Sequence, residues 1–188
     1  MATKVLITGG AGYLGSVLTM HLLSHSYRVT VVDNFRHAVP SLLAFCSNRN
    51  LKIINADCRV GVLQYSQDAD VLIPLAAVVG APVCDRDPFS AESTNLSAVK
   101  VLCQHASKDQ VVIYPNTNSG YGIGGSEPCR EEDPINPLSL YAQTKAGAES
   151  IVLSHPGGIS LRFATLFGCS PRMRLALLVN DFVYRAVR

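Results

Sequence analysis

Tyr141 and Lys145 are the pair in this sequence best placed to move a proton. In a helix their four-residue spacing stacks them on one face. A tyrosine with its usual pKa of about 10 is a poor base at neutral pH, but an ammonium beside it favours the phenolate. A phenolate so poised takes a proton from a hydroxyl while hydride leaves the same carbon for an oxidised nicotinamide, whose positive charge would add to the effect. The spacing alone is common on solvated helix faces. It gains weight from a second constellation at the amino terminus.

There, Thr8-Gly9-Gly10-Ala11-Gly12-Tyr13-Leu14-Gly15 follows the apolar run Val5-Leu6-Ile7 and precedes a helical segment, Ser16 to His25. Glycines 9, 12 and 15 read as G-x-x-G-x-x-G, and glycines 10, 12 and 15 as G-x-G-x-x-G. In either register a tight turn lets backbone N–H groups at a helix amino terminus approach a pyrophosphate. A second strand, Arg28 to Val32, ends in Asp33, where the ribose hydroxyls of an adenine dinucleotide need an acceptor. Turn and carboxylate together point to dinucleotide binding.

The elements that must position these groups alternate in type. Short β-branched strands are predicted at 4–8, 28–32, 51–55, 70–74, 110–114 and 158–163, with helices between them, which implies parallel βαβ units. Asp87-Pro88, Asn136-Pro137 and Ser170-Pro171 each pair a capping side chain with a proline suited to a first helical position. They predict helices from Pro88 to about Ser107, from Pro137 to about Ser154, and from Pro171 to Val187. His155-Pro156-Gly157-Gly158 stops the second. The connection Pro115 to Asn136 is long, glycine-rich and follows a strand end, where doubly wound sheets bind ligands.

The 188 residues supply one sizeable core; 48% are hydrophobic and 16% charged. A net charge of +2 excludes an electrostatic case for nucleic acid or an anionic membrane. The longest apolar window, Val71 to Val83, is broken by Pro74, Gly80 and Pro82 and is too short to span a bilayer. A strand is predicted almost at once, so no signal peptide is expected. The six cysteines form no C-x-x-C pair and no metal-ligand rhythm with the five histidines. They read as reduced thiols of a cytoplasmic protein, and no metal site is expected. Cys84 and Cys129 fall in predicted loops, where a nucleophilic role is an alternative to packing. The histidines read as surface or helix-end residues.

These features together resemble the extended short-chain dehydrogenase/reductase superfamily, in its branch of NAD-dependent sugar-nucleotide epimerases and dehydratases. The resemblance spans essentially the whole chain. It implies a Rossmann-like doubly wound parallel α/β sheet over residues 1–170, with 171–188 opening a substrate-binding region. It assigns the cofactor NAD to Gly9, Gly12, Tyr13, Leu14, Gly15, Asp33 and Asn34 after the second strand, and Asp57 with Cys58 after the third. Asp57 would contact the adenine amino group. Leu75-Ala76-Ala77 would lie along the cofactor, followed by Asn95 in the next helix. Asn116-Thr117-Asn118-Ser119-Gly120-Tyr121-Gly122 matches the family's strand-five segment and puts Thr117 at the catalytic hydroxyl position, helping to hold Tyr141. Ser119 takes that place if the loop is shifted. Tyr141 would be the base and Lys145 its electrostatic partner, both also touching NAD.

Departures from the family pattern shape the expected reaction. Pro74 replaces a histidine before Leu75-Ala76-Ala77. Asn118 and Ser119 stand where the 4,6-dehydratases carry aspartate and glutamate, and neither titrates at neutral pH. Epimerisation or simple oxidoreduction of a nucleotide sugar therefore ranks above elimination. The carboxy-terminal portion that closes over the sugar nucleotide is expected to be missing, since the sequence stops at Arg188. A non-catalytic NAD-binding module is the competing expectation. Asp33 favours NAD over NADP, a preference Arg36 would soften. The resemblance also implies a homodimer through the helices starting at Pro88 and Pro137. Leu96, Val99, Leu102, Ile151 and Val152 are available to core or interface alike.

Overall fold

The computed structural model describes residues 2–125 and 127–188 of the chain. Six parallel strands form one sheet: β1 (Lys4–Thr8), β2 (Arg28–Asp33), β3 (Leu51–Asn55), β4 (Val71–Pro74), β5 (Val111–Thr117) and β6 (Gly158–Phe163). Their spatial order is β3-β2-β1-β4-β5-β6. The order reverses between β1 and β4, so a crevice opens beyond their carboxyl ends, which is where such sheets bind ligands.

Both faces of the sheet are covered, because the inner strands carry apolar side chains on both sides. Val5 and Ile7 of β1, with Val29, Val31 and Ile73, pack into one apolar layer together with Leu23. Leu6, Val32 and Leu72 point the other way and meet Val99, Leu102, Ala148 and Val152. Alternation with period two in the strands thus feeds two helical layers from one sheet. Val99, Leu102 and Val152 are core residues, which decides their use.

The first layer's helix is α1 (Tyr13–Ser24), three residues earlier than its sequence suggested. After it come the short α2 (Leu63–Ser66) and α3 (Ala81–Arg86). A long helical run then comprises α4 (Pro88–Glu92), a π-helical turn at Ser93–Ser97 and α5 (Ala98–His105). Cys84 therefore sits in a helix rather than a loop, fully buried, with its Sγ donating to the Val78 carbonyl. Burial holds its thiol above the ordinary range, so it packs and does not attack. Cys129 is exposed and unpaired with any other cysteine.

Of the three proline-marked helix starts, only the first behaves as predicted: the Asp87 carboxylate accepts from Ser90 N at 3.0 Å. The next helix, α6, runs Leu140–Leu153 and begins three residues after Pro137, because Ser139 supplies the cap by accepting from Ala142 N. The last, α7, covers only Leu178–Ala186. Residues 171–177 are not helical; the Ser170 hydroxyl accepts from Arg172 N as a cap would, while donating to the Tyr13 carbonyl. The long connection is also shorter than expected: β5 continues to Thr117 and a 3-10 turn spans Asn118–Tyr121. His155 is buried, not at the surface. Gly157 N donates to its Nδ1, so Nε2 carries the proton and donates to the Ser107 carbonyl. Among the described residues no helix is long and apolar enough to cross a membrane, and no His/Cys/Asp/Glu cluster can hold a metal.

Candidate active site

The crevice is a cleft of about 600 Å³, lined by Gly9, Gly12, Tyr13, Leu14 and Gly15 on one wall. Glycine is required here by contact as well as torsion. Gly9 has φ 72°, and a Cβ on it would lie 2.7 Å from Ala76 Cα. One on Gly15 would lie 2.7 Å from Gly10 Cα. Gly10 packs against Val31, so the register facing the cleft is 9, 12 and 15. Gly12 caps α1 with no side chain on its orphan N–H groups, leaving donors for an anion.

The Asp33 carboxylate is oriented by two backbone donors, Ala11 N to Oδ2 at 3.0 Å and Phe35 N to Oδ1 at 2.8 Å. Asn34 lies beside it in the cleft wall. Next along that wall is Asp57, held below the usual carboxylate range chiefly by hydrogen bonds from Arg59, 2.6 Å away. Cys58 adjoins it, its thiol pushed up to about 11 by burial. Leu75, Ala76 and Ala77 line the floor, anchored where Ala76 N donates to Thr8 Oγ1. Asn95 is not in the cleft. It is buried, with Oδ1 accepting from Val78 N at 2.8 Å and Nδ2 donating to Val78 O. The π-helical turn that carries it exposes Thr94 to the cleft instead, so Asn95 shapes the floor from behind.

At the other end Thr117, Ser119, Tyr141 and Lys145 converge on the same cleft. Their internal bonding departs from expectation. Thr117 Oγ1 donates to Ser119 Oγ at 3.0 Å and accepts from Ser119 N, so it caps the 3-10 turn rather than bonding Tyr141. Lys145 Nζ donates to the Pro115 carbonyl at 2.6 Å and stands 3.9 Å above the centre of the Tyr114 ring. Burial pulls its pKa down to about 7, against the opposing pull of Glu149. Tyr141 is shifted upward by burial, with Cys84 adding to the shift and Arg174 opposing it. Lys145 is not among the groups that shift the phenol.

A lysine whose folded pKa lies below its unfolded value penalises folding most at low pH. The penalty is complete below about 7 and disappears as the unfolded amine also loses its proton, near 10.4. The Lys145→Met variant is expected to gain stability relative to wild type at pH 6.5 and to lose that advantage by up to about 1.4 kcal/mol per pH unit on the way to pH 9.5. Urea melts across this range check it; a pH-independent difference overturns it.

Several residues in the cleft or behind it escaped the sequence reading. Arg172 and Arg174 line the cleft from the segment after β6, in a stretch read as helix. Glu149, one turn beyond Lys145, accepts from Ser160 Oγ at 2.7 Å and from Arg162 Nε at 3.0 Å, and Arg162 also donates to Tyr121 Oη. Its i,i+4 spacing from Lys145 was the available signal.

The glycine cradle, the open helix terminus and the aimed Asp33 carboxylate suit a dinucleotide at one end. At the other, the Asn116 Oδ1 in the cleft wall is buried without a partner among the described residues, a polar atom that a ligand can satisfy. Comparisons with known proteins agree with this fit. UDP-arabinose 4-epimerase 1 of Arabidopsis thaliana is 32% identical over 92% of this chain and 45% of its own length. UDP-glucuronic acid decarboxylase 1 of Xenopus tropicalis is 28% identical over 98% and 46%. The chain thus spans less than half the length of these curated relatives. UDP-glucuronic acid 4-epimerase of Bacillus cereus, solved in complex with NAD, superposes with a TM-score of 0.84 at 25% identity, over 98% of this chain and 63% of its own. Residues 5–186 match the family described as NAD dependent epimerase/dehydratase, and with its glycine turn, reversed strand order and Tyr-x-x-x-Lys helix around one cleft, the chain belongs to that family.

Proposed function

We propose that the site carries out NAD-dependent oxidoreduction of a nucleotide-activated sugar, ending in epimerisation through a keto sugar, with Tyr141 as the base. The observation that carries this reading is the convergence of Tyr141, Lys145 and the Thr117/Ser119 hydroxyls on the cleft that also holds the glycine turn and Asp33. When bound, NAD supplies the acceptor and donor of a hydride. Gly9, Gly12 and Gly15 with the first turn of α1 would hold its diphosphate, and Asp33 its ribose. Tyr141 takes the proton of the sugar hydroxyl and returns it to the keto oxygen after the ring has presented its other face. Burial raises the phenol, so it needs added positive charge in the cleft before it ionises near neutral pH. Thr117 or Ser119 orients the sugar oxygen. Asn118 and Ser119 offer no titrating group for elimination.

The panel that tests this incubates the chain and NAD with UDP-linked pentoses, hexoses and uronic acids and follows both epimer formation and the reduced-nicotinamide absorbance. The competing reading, a cofactor-binding module without catalysis, is favoured by one feature, the engagement of Lys145 with Pro115 and Tyr114 instead of Tyr141. It predicts bound NAD with no turnover of any sugar on the panel.

For the cofactor, Asp33→Ala is expected to weaken NAD by about tenfold and NADP less, since the carboxylate accepts from a ribose hydroxyl and repels a 2′-phosphate. Calorimetric titration of both cofactors checks this, and the opposite ranking removes the ribose assignment. We also propose a homodimer through the outer faces of α4–α5 and α6, where Phe89 is 76% and Leu153 53% exposed. Sedimentation of wild type against Phe89→Glu checks it: a dimer converted to a monomer is expected. A cytoplasmic setting would keep its cysteines reduced.

A further inference from the structure

We infer that the segment 168–177 is a strap that places Arg172 and Arg174 as a binding site for a phosphoanhydride, the diphosphate of a nucleotide held in the cleft. The inference rests on the nucleotide reading above and deepens it.

The strap is tied to the helix terminus that faces the cleft. Tyr13 Oη donates to the Gly168 carbonyl at 2.7 Å, Ser170 Oγ donates to the Tyr13 carbonyl at 2.7 Å, and Asn180 Nδ2 donates to Tyr13 Oη at 3.0 Å. Asn180 closes the strap on itself by accepting from Gly168 N and donating to the Arg174 carbonyl. Between these ties burial alternates: Ser170, Arg172 and Arg174 are half-buried, whereas Pro171, Met173 and Leu175 are exposed. The two arginines therefore enter the cleft while the apolar side chains face outward, the reverse of what folding alone favours.

Their charge is uncompensated. Neither arginine forms a salt bridge among the described residues. The nearby Asp33 already accepts two backbone N–H groups. Arg36 and His37 join them in the cleft wall. Burial first, and then the charges of Arg172 and Arg36, hold the His37 imidazole below its ordinary range; burial and Arg174 do the same to the Arg172 guanidinium. Like charges gathered in a half-buried cleft are unfavourable until an anion joins them.

Position identifies the anion. Arg172 and Arg174 line the same cleft as Asp33 and Tyr141, on a strap hydrogen-bonded to Tyr13, the first residue of α1 after the glycine turn. That ties the pair to the helix terminus at which sheets of this kind hold a nucleotide's diphosphate. The glycine turn from Thr8 to Gly15 contains no lysine or arginine and offers only N–H groups. A guanidinium fork matches phosphate oxygens in geometry as well as charge.

Isothermal titration of the full chain with NAD, UDP, inorganic pyrophosphate and adenosine, at low and high salt, tests the site. Arg172→Gln and Arg174→Gln are each expected to weaken the diphosphate ligands about tenfold, and the double variant about 100-fold, with a shallower salt dependence. Adenosine is expected to be unaffected, as is every ligand in the control Arg49→Gln, whose side chain is exposed outside the cleft. Loss of NAD affinity identifies the cofactor's diphosphate as the occupant; loss confined to UDP identifies the substrate's; both support the site. Should wild type bind neither nucleotide, the functional reading falls, and pyrophosphate then decides the strap by itself. If the double variant does not fold, the single variants carry the same test. Unchanged affinity for pyrophosphate, NAD and UDP in the variants that fold overturns the inference.

Discussion

Tyr141→Phe is expected to lower epimerisation by about 10²–10⁴-fold while leaving NAD affinity within about twofold of wild type. The phenol carries a transferable proton and lines the same cleft as the hydroxyl residues Thr117 and Ser119. Among the described residues no hydrogen bond restrains its hydroxyl, so removal of that oxygen leaves no partner stranded and is expected to change stability by less than about 1 kcal/mol. The loss therefore reads as chemistry and not as unfolding. Steady-state rates on an active nucleotide sugar, alongside calorimetric NAD titration, measure both halves. Equal rates in wild type and variant, with NAD still bound, would falsify Tyr141 as the base.

Arg162→Met carries the largest expected effect on stability, a loss of about 3 kcal/mol. Its partner Glu149 has a side chain only 6% exposed, and Arg162 itself is 19% exposed. Burial by itself pushes the Glu149 carboxyl up, but the hydrogen bonds from Arg162, Ser160 and Asn116 outweigh it and hold the group below its ordinary value. In wild type this contribution is present above the unfolded pKa of about 4.3 and is lost as pH falls through the lower folded value. Without the guanidinium, burial dominates and the sign reverses. The variant's deficit is then expected to shrink as pH drops from 7 towards 4, because a protonated carboxyl is cheaper to bury. Urea unfolding at several pH values checks this; a deficit that grows on acidification contradicts it. The same arginine bonds the Tyr121 hydroxyl and the Glu131 carbonyl, so the variant should also loosen the turn that carries Thr117 and Ser119.

The two outcomes separate what is local from what is assembled. Every strand of the sheet was legible to within three residues, because alternation and β-branching act on neighbours along the chain. The glycine turn and the Asp33 carboxylate were legible for the same reason, each marking a junction whose geometry is set within a few residues. Helix ends were less so. Asn136-Pro137 and Ser139 are both adequate starts for α6, and Ser139 takes the cap by accepting from Ala142 N. Ser170-Pro171 starts no helix although the Ser170 hydroxyl accepts from Arg172 N; it also donates to the Tyr13 carbonyl, 157 positions away in sequence.

Composition and spacing by themselves determined the class of the sheet, the face shared by Tyr141 and Lys145, and the turn that faces a diphosphate. Tertiary structure alone decided where the charges act. It turned Lys145 towards Pro115 and Tyr114, withdrew Asn95 from the cleft, paired Glu149 with Arg162 and brought Arg172 and Arg174 into the cleft wall. The reason is physical: hydrogen-bonded periodicity is settled between residues a few positions apart, whereas burial and Coulomb interactions depend on which distant groups share a low-dielectric space once the chain has folded.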